Sequence, residues 1–356
     1  MVEVAIDEHV AHVAALRGVH EVRDEVVTRH EVCRQSRVRS PDPAPPSAWW
    51  SRAAFLVPAG RASHTARVLR PNATIAVVAP AGIPKLDGVA AGVELVRSWG
   101  YDVVLAPHLG DRHFYNAGTA GTRTADLTWA LTTPGIDAVW LARGGYGCVH
   151  CLAALPCEGL DGRPVLGCSD ATSLFSALWK SRGGHLVHGP MLETIATGVD
   201  DATRDRMRAL LAGEAVEVIE GERLCGPNVE VSGPVIGGNL CVLASIAGTP
   251  WAMSARGAIV VLEDIGEAAY RLDRMVTQLR WSGALDGALG IALGDFFQCK
   301  TPEGATYTVE DVLQHVLAPL GVPVVGRMKI GHDKRNLAWR YGARGTLRAD
   351  GLVQEG

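Results

Sequence analysis

Ile136-Asp137-Ala138-Val139-Trp140-Leu141-Ala142-Arg143-Gly144-Gly145-Tyr146-Gly147-Cys148-Val149-His150-Cys151 is the stretch that decides the fold. An apolar, β-branched run passes into a glycine-rich turn, and a helix is expected over 149–155. Glycine admits positive φ and close backbone approach, so the turn can be tight. A helix start leaves free N–H groups and a positive dipole end, which favours a thiolate. Cys148, at the exit of the turn, is therefore the first candidate nucleophile.

Working outward, Thr74-Ile75-Ala76-Val77-Val78-Ala79 reads as a buried strand, 86–99 as a helix closed by Gly100, and 102–106 as a second strand. A helix follows near 123–131. Beyond the glycine turn, Pro164-Val165-Leu166-Gly167 is a further strand. It leads into Ser169-Asp170-Ala171-Thr172, whose Ser or Asp is expected to N-cap a helix over 173–180. Strands alternating with helices of this length specify parallel βαβ units. A second α/β unit opens at Ser232 and carries strands at 258–262, 290–293 and 322–325. The expected organisation is an N-terminal extension with a Pro-rich linker (1–70), a nucleophile domain (71–192), a connector (193–230) and a C-terminal domain (231–356).

The chain has 356 residues, 47% of them hydrophobic and 20% charged, with a net charge of -4. That length calls for two domains. The weak, dispersed charge implies neither a nucleic-acid groove nor an anionic-membrane patch, and no apolar run is long enough to span a bilayer. The expected partner is a small molecule or short peptide. Acidic residues in Met1-Val2-Glu3-Val4-Ala5-Ile6-Asp7-Glu8, where a secretion signal would be basic, argue for the cytoplasm. The eight cysteines (Cys33, Cys148, Cys151, Cys157, Cys168, Cys225, Cys241, Cys299) read as reduced thiols, most of them small core residues.

Three polar groups fall just past expected strands, where open α/β sheets bind ligands: Cys148, Glu263 and His332. One reading makes them nucleophile, acid and base. A solvated Glu263, Asp264 and Glu267 cluster beside Arg271 and Arg274, with His332 a loop residue, is the plain alternative. Tyr146 and His150 stand where a G-x-S-x-G elbow centred on Cys148 needs glycines, so that motif is absent there. Cys148-Val149-His150-Cys151 also spells C-x-x-C, the redox spacing. A second ligand pair for zinc is missing, and so are phosphate-binding glycine motifs, so no metal or cofactor is expected. His108 and His113 read as exposed loop histidines.

Several segments together resemble the LD-carboxypeptidase family of serine peptidases, which includes the microcin C7 self-immunity hydrolases. They are Val77-Val78-Ala79-Pro80, Arg143-Gly144-Gly145-Tyr146-Gly147, Gly167-Cys168-Ser169-Asp170, His188-Gly189-Pro190-Met191, Gly237-Gly238-Asn239-Leu240, Leu262 to Glu267 with Tyr270 to Arg274, and Gly331-His332. The resemblance implies a Rossmann-like N-terminal domain with a nucleophile elbow, a β-rich α/β C-terminal domain, a site in the cleft between them, and a homodimer. Carried over, the family's Glu falls on Glu263 and its His on His332, and its serine is expected at Cys148. Gly145 and Val149 would supply the oxyanion hole, and Gly144, Tyr146, Ser169 and Asp170 would contact substrate.

On this reading Cys148 forms a thioester. Hydrolysis of an amide with a free carboxylate, at an L-to-D peptide bond as in the family, ranks first. Because thioesters react well with amines, amide-forming acyl transfer is the second class, and a C-x-x-C thiol redox protein the third.

Overall fold

The computed structural model describes residues 68–155, 162–182 and 185–354. The expected extension as far as residue 67, with Cys33, and Cys157 lie outside the described residues. In chain order the first half runs β1 (Thr74–Val78), α1 (Leu86–Ser98), β2 (Asp102–Leu105), α2 (Ala120–Thr132), β3 (Ala138–Leu141), α3 (Cys148–Leu152), β4 (Val165–Gly167), α4 (Ala171–Arg182) and β5 (Leu186–His188). Then come α5 (Leu192–Ile195), α6 (Asp201–Ala212), β6 (Ile219–Glu220), β7 (Glu222–Cys225), β8 (Val231–Asn239), α7 (Leu240–Ser245) and β9 (Ile259–Ile265). The chain continues through α8 (Ala269–Trp281), β10 (Gly290–Phe297), α9 (Val309–Leu317), β11 (Val324–Gly326), β12 (Trp339–Tyr341), β13 (Arg344–Arg348) and β14 (Gly351–Gln354).

β1 is an interior strand, parallel to both neighbours, β2 and β3. Covered on both faces, it carries no alternation of polarity, which is why Ile75 to Val78 are all apolar and buried. Ile75 and Val77 face a core shared with Val89, Val93 and Val96 of α1, while Ala76 and Val78 face Leu127 and Leu131 of α2. The spacing of the α1 valines, one face of a 3.6-residue helix, follows from that seat. Each such side chain contributes roughly 1.5 to 3 kcal/mol by burial.

The six-stranded sheet has the order β12-β5-β4-β3-β1-β2, and the eight-stranded sheet the order β6-β14-β13-β8-β9-β10-β11-β7. β12 is the departure from a simple division of the chain. It lies far along the sequence yet pairs antiparallel with β5, closing the edge of the first sheet. The core on that sheet's α2 face is continuous with residues of the second, including Val235, Val260 and Leu293. β9 is also longer than its apolar run suggests, so Glu263 lies inside a strand, in register with Asn239 of β8.

Candidate active site

Ser169 occupies the turn from β4 to α4 with φ +56°. A non-glycine residue in this left-handed region is strained, and such residues cluster at functional sites. The turn is sharp because its flanks are small. A Cβ on Gly167 would stand 3.2 Å from the Ala171 Cβ and 3.3 Å from the Leu141 Cβ. Gly167-Cys168-Ser169-Asp170-Ala171 is thus a strand-turn-helix elbow that presents Ser169 at the carboxyl end of β4.

The glycine turn after β3 packs against this elbow. A Cβ on Gly144 would stand 3.0 Å from the Ser169 Cβ and 3.1 Å from its Oγ, so a side chain there would crowd the hydroxyl. Two buried side chains fix the turn. Arg123 Nη1 donates to the carbonyls of Pro80 (2.5 Å) and Gly147 (2.8 Å), and Asn116 Nδ2 donates to the carbonyl of Tyr146 at 2.5 Å.

His332 lies in the loop after β11, and its Nδ1 is 2.7 Å from Glu263 Oε2. An ionised carboxylate only accepts, so Nδ1 carries the proton and Nε2 is left as the ring's acceptor. Burial works against the imidazolium, but the Glu263 carboxylate outweighs it, and the His332 pKa is raised above its usual 6.5. The loop is anchored on both sides of the histidine. Gly331 N donates to Asn336 Oδ1 at 3.1 Å, Asn336 N donates to Thr203 Oγ1 at 3.0 Å, and Arg335 Nε donates to Asp200 Oδ2 at 2.7 Å. Asp200 is itself the N-cap of α6.

Ser169 and His332 line one cavity of about 220 Å³, with Arg143, Gly144, Gly145 and Asn336 among its walls. A larger groove of about 900 Å³ runs along α6 past Lys329 and Arg335, but no serine, cysteine, threonine or histidine lines it. It is not where this chemistry is placed.

Cys148 is elsewhere. It begins α3 as expected, yet it is 0% exposed and absent from the cavity walls. The expectation that the positive end of a helix would favour its thiolate is corrected by Asp170, whose Oδ2 accepts the Cys148 N–H at 2.7 Å. The helix start is thereby already supplied with an anion. Burial pushes the Cys148 thiol well up, and the adjacent Asp170 carboxylate pushes it further. Asp170 does not cap α4, as its position in the sequence suggested. It clamps the glycine turn to the elbow, and burial raises its own pKa despite these bonds.

Other expected residues divide the same way. Gly144, Gly145 and Ser169 line the cavity, whereas Val149, Asp170 and the exposed Tyr146 do not. Cys151 is buried, and its thiol is likewise pushed up by burial. The thiols of Cys148, Cys151, Cys168, Cys225, Cys241 and Cys299 are free, though Cys241 is exposed rather than a core residue. Glu263 is 0% exposed and Asp264 2%, which removes the solvated-cluster alternative for both. His108 pairs with Asp126 at 2.8 Å. Among the described residues no group of three or more His, Cys, Asp or Glu is placed to hold a metal ion, and no helix is long and apolar enough to cross a membrane. Ser169 is expected from the sequence only as a substrate contact, because Cys148 already stands at the exit of a glycine turn after a strand. The signal was present at the next strand end, where Gly and Ala flank Ser169 at two residues on either side.

Comparison with known proteins identifies relatives of the whole described fold. Residues 75–189 match a family model described as the LD-carboxypeptidase N-terminal domain, and residues 232–347 match its C-terminal counterpart. A provisionally named carboxypeptidase of Streptomyces coelicolor is 39% identical over 290 residues, covering 79% of this chain and 92% of its own. The murein tetrapeptide carboxypeptidase of Pseudomonas aeruginosa is 34% identical, covering 78% of this chain and 94% of its own. The crystal structure of muramoyltetrapeptide carboxypeptidase from Oxalobacter formigenes superposes with a TM-score of 0.72 at 30% identity, over 79% of this chain and 97% of that one.

Proposed function

The chain belongs to the LD-carboxypeptidase family, and on that premise we propose that it hydrolyses the L-to-D amide bond before the carboxyl-terminal residue of a murein-type peptide through Ser169, His332 and Glu263. The observation that carries this reading is the shared cavity. A serine held at a left-handed φ opens onto the same small space as a histidine already oriented by a buried carboxylate.

The steps follow from the groups present. His332 Nε2 takes the Ser169 proton as Oγ attacks the peptide carbonyl, and Glu263 stabilises the imidazolium that forms. The oxyanion is received by the N–H groups of Gly145 and Asp170, the second being the residue after the nucleophile. Neither N–H enters a backbone hydrogen bond among the described residues. The imidazolium then gives its proton to the departing amine, leaving an acyl ester on Ser169. Water repeats the sequence and releases the acid. Arg143, the one lysine or arginine of the cavity wall, is the group suited to the substrate's terminal carboxylate.

Two variants test the assignment on an L,D-tetrapeptide, with release of the terminal residue as the readout. Ser169→Ala is expected to lose at least about a thousandfold in kcat. Cys148→Ala is expected to stay within about threefold, since it removes one buried sulfur at a cost of about 1 kcal/mol in stability. The opposite pattern overturns the proposal and returns the thiol to the mechanism. With an oxygen ester in place of a thioester, the argument for amine acceptors falls away, and acyl transfer is not carried forward.

A further inference from the structure

Glu263 uses one carboxylate oxygen on His332. The other, Oε1, is fully buried and has no hydrogen-bond partner, and the same is true of both ring nitrogens of His188 and of Trp339 Nε1. Buried polar atoms almost always find partners, so four unmet atoms in one region call for an account.

The fold brings them together. His188 ends β5, 0% exposed, and its ring lies stacked on Trp339 of β12, with centroids 5.1 Å apart and 21° between planes. On another side is Gly238 of β8, the neighbour of Asn239, which pairs with Glu263. Gly238 has φ +130°, and a Cβ there would stand 3.4 Å from His188 Cδ2. That is ordinary contact distance, so the imidazole lies against the strand beside the carboxylate.

We propose that His188 is a positioning residue of the triad: it gives Glu263 Oε1 a hydrogen bond through one buried water that Trp339 Nε1 also reaches, so that the carboxylate presents Oε2 to His332. The proposal rests on the function assigned above only for its kinetic readout. A donor to Oε1 holds the carboxylate in one orientation and draws off part of its charge. Burial lowers the His188 pKa to about 4, so the ring is neutral at ordinary pH and keeps one N–H to give.

Other charged groups act on the same pair. Asp264 follows Glu263 in β9, with its carboxyl pushed up to about 6 by burial, and it adds to the field at His332. Asp295 of β10 senses both Glu263 and Asp333 and pairs with Lys329 at 3.5 Å. Cys168, whose thiol burial pushes up, approaches Glu263 from the β4 side. None of these is altered by a change at His188, which makes that site the clean place to test.

Two series decide it. The first follows the His332 imidazole by NMR titration without substrate, and kcat and KM on an L,D-tetrapeptide. In His188→Phe, which keeps a ring on Trp339 but has no donor, the His332 pKa is expected to rise by about half a unit. Its kcat should fall about tenfold or more while KM stays within about twofold. His188→Gln, which restores a donor, should move both back towards the parent. A His332 titration in His188→Phe that coincides with the parent overturns the proposal, whether or not the tetrapeptide is a substrate. Inactivity of the parent on that peptide would instead count against the function assigned above and leave the titration to decide this one. The second series does not depend on the folding of a His188 variant. The His188 ring N–H should give a resonance protected from exchange that shifts in Glu263→Gln, and an unshifted resonance equally overturns the proposal.

Discussion

Glu263 acts on His332 through one 2.7 Å contact whose carboxylate end is fully buried, where a charge is worth more than at a surface. The base must be neutral to take the serine proton, so kcat/KM should rise with pH through the His332 pKa, with its midpoint above 6.5. Glu263→Gln removes the group that raises it and leaves burial as the larger influence. The midpoint should then fall below 6.5, and the plateau should drop about a hundredfold or more, both read from a pH-rate profile. Glu263 and His332 were legible in the chain because each sits in a distinctive short motif. The choice between Cys148 and Ser169 was only partly legible: both lie between a strand and a helix, and the small residues two places on either side of Ser169 are its distinguishing sign in the sequence. What separates them is the direction of a side chain. That direction is set by a left-handed φ at Ser169 and by an Asp170 carboxylate bonded to the Cys148 N–H, and neither is visible in residue order.

At the scale of elements, the histidine loop depends on a helix with which it shares no chemistry. Asp200 caps α6 by accepting the Thr203 N–H at 2.9 Å, and it also holds Arg335. Thr203 in turn holds the backbone of Asn336. Asp200→Ala should lower stability by about 1 kcal/mol in urea denaturation, the usual cost of a lost cap. It should also reduce kcat several-fold with KM little changed, because His332 loses its tether rather than the substrate its binding site. Retention of full kcat in a destabilised variant would show that the loop holds itself. β1 to β4 and their helices were legible from the alternation of apolar runs and helical stretches. The coupling was not, because it joins residues more than a hundred positions apart in the chain.

Across the whole molecule, β12 joins the two halves. Trp339 and Tyr341 are buried and stack with centroids 5.7 Å apart, and Tyr341 also meets the ring of Phe175 on α4. Trp339→Ala should cost roughly 3 to 5 kcal/mol. Because the first sheet shares its core with the second, the loss should appear as a shift of one unfolding transition rather than a new early phase, as read by tryptophan fluorescence and circular dichroism together. Three residues of strand, Trp339-Arg340-Tyr341, are too short to announce their partner in the sequence, and β13 and β14, at five and four residues, are scarcely longer. The same strand sets a timetable for synthesis. β5 leaves the ribosome long before β12, and at about 5 to 20 residues per second roughly eight to thirty seconds separate them. For that interval the nascent chain carries an open β edge ending at His188, the kind of surface that recruits neighbouring chains. Protection of this edge during translation, by a chaperone or by slow local decoding avoided between the two strands, is therefore a demand that the finished enzyme no longer shows.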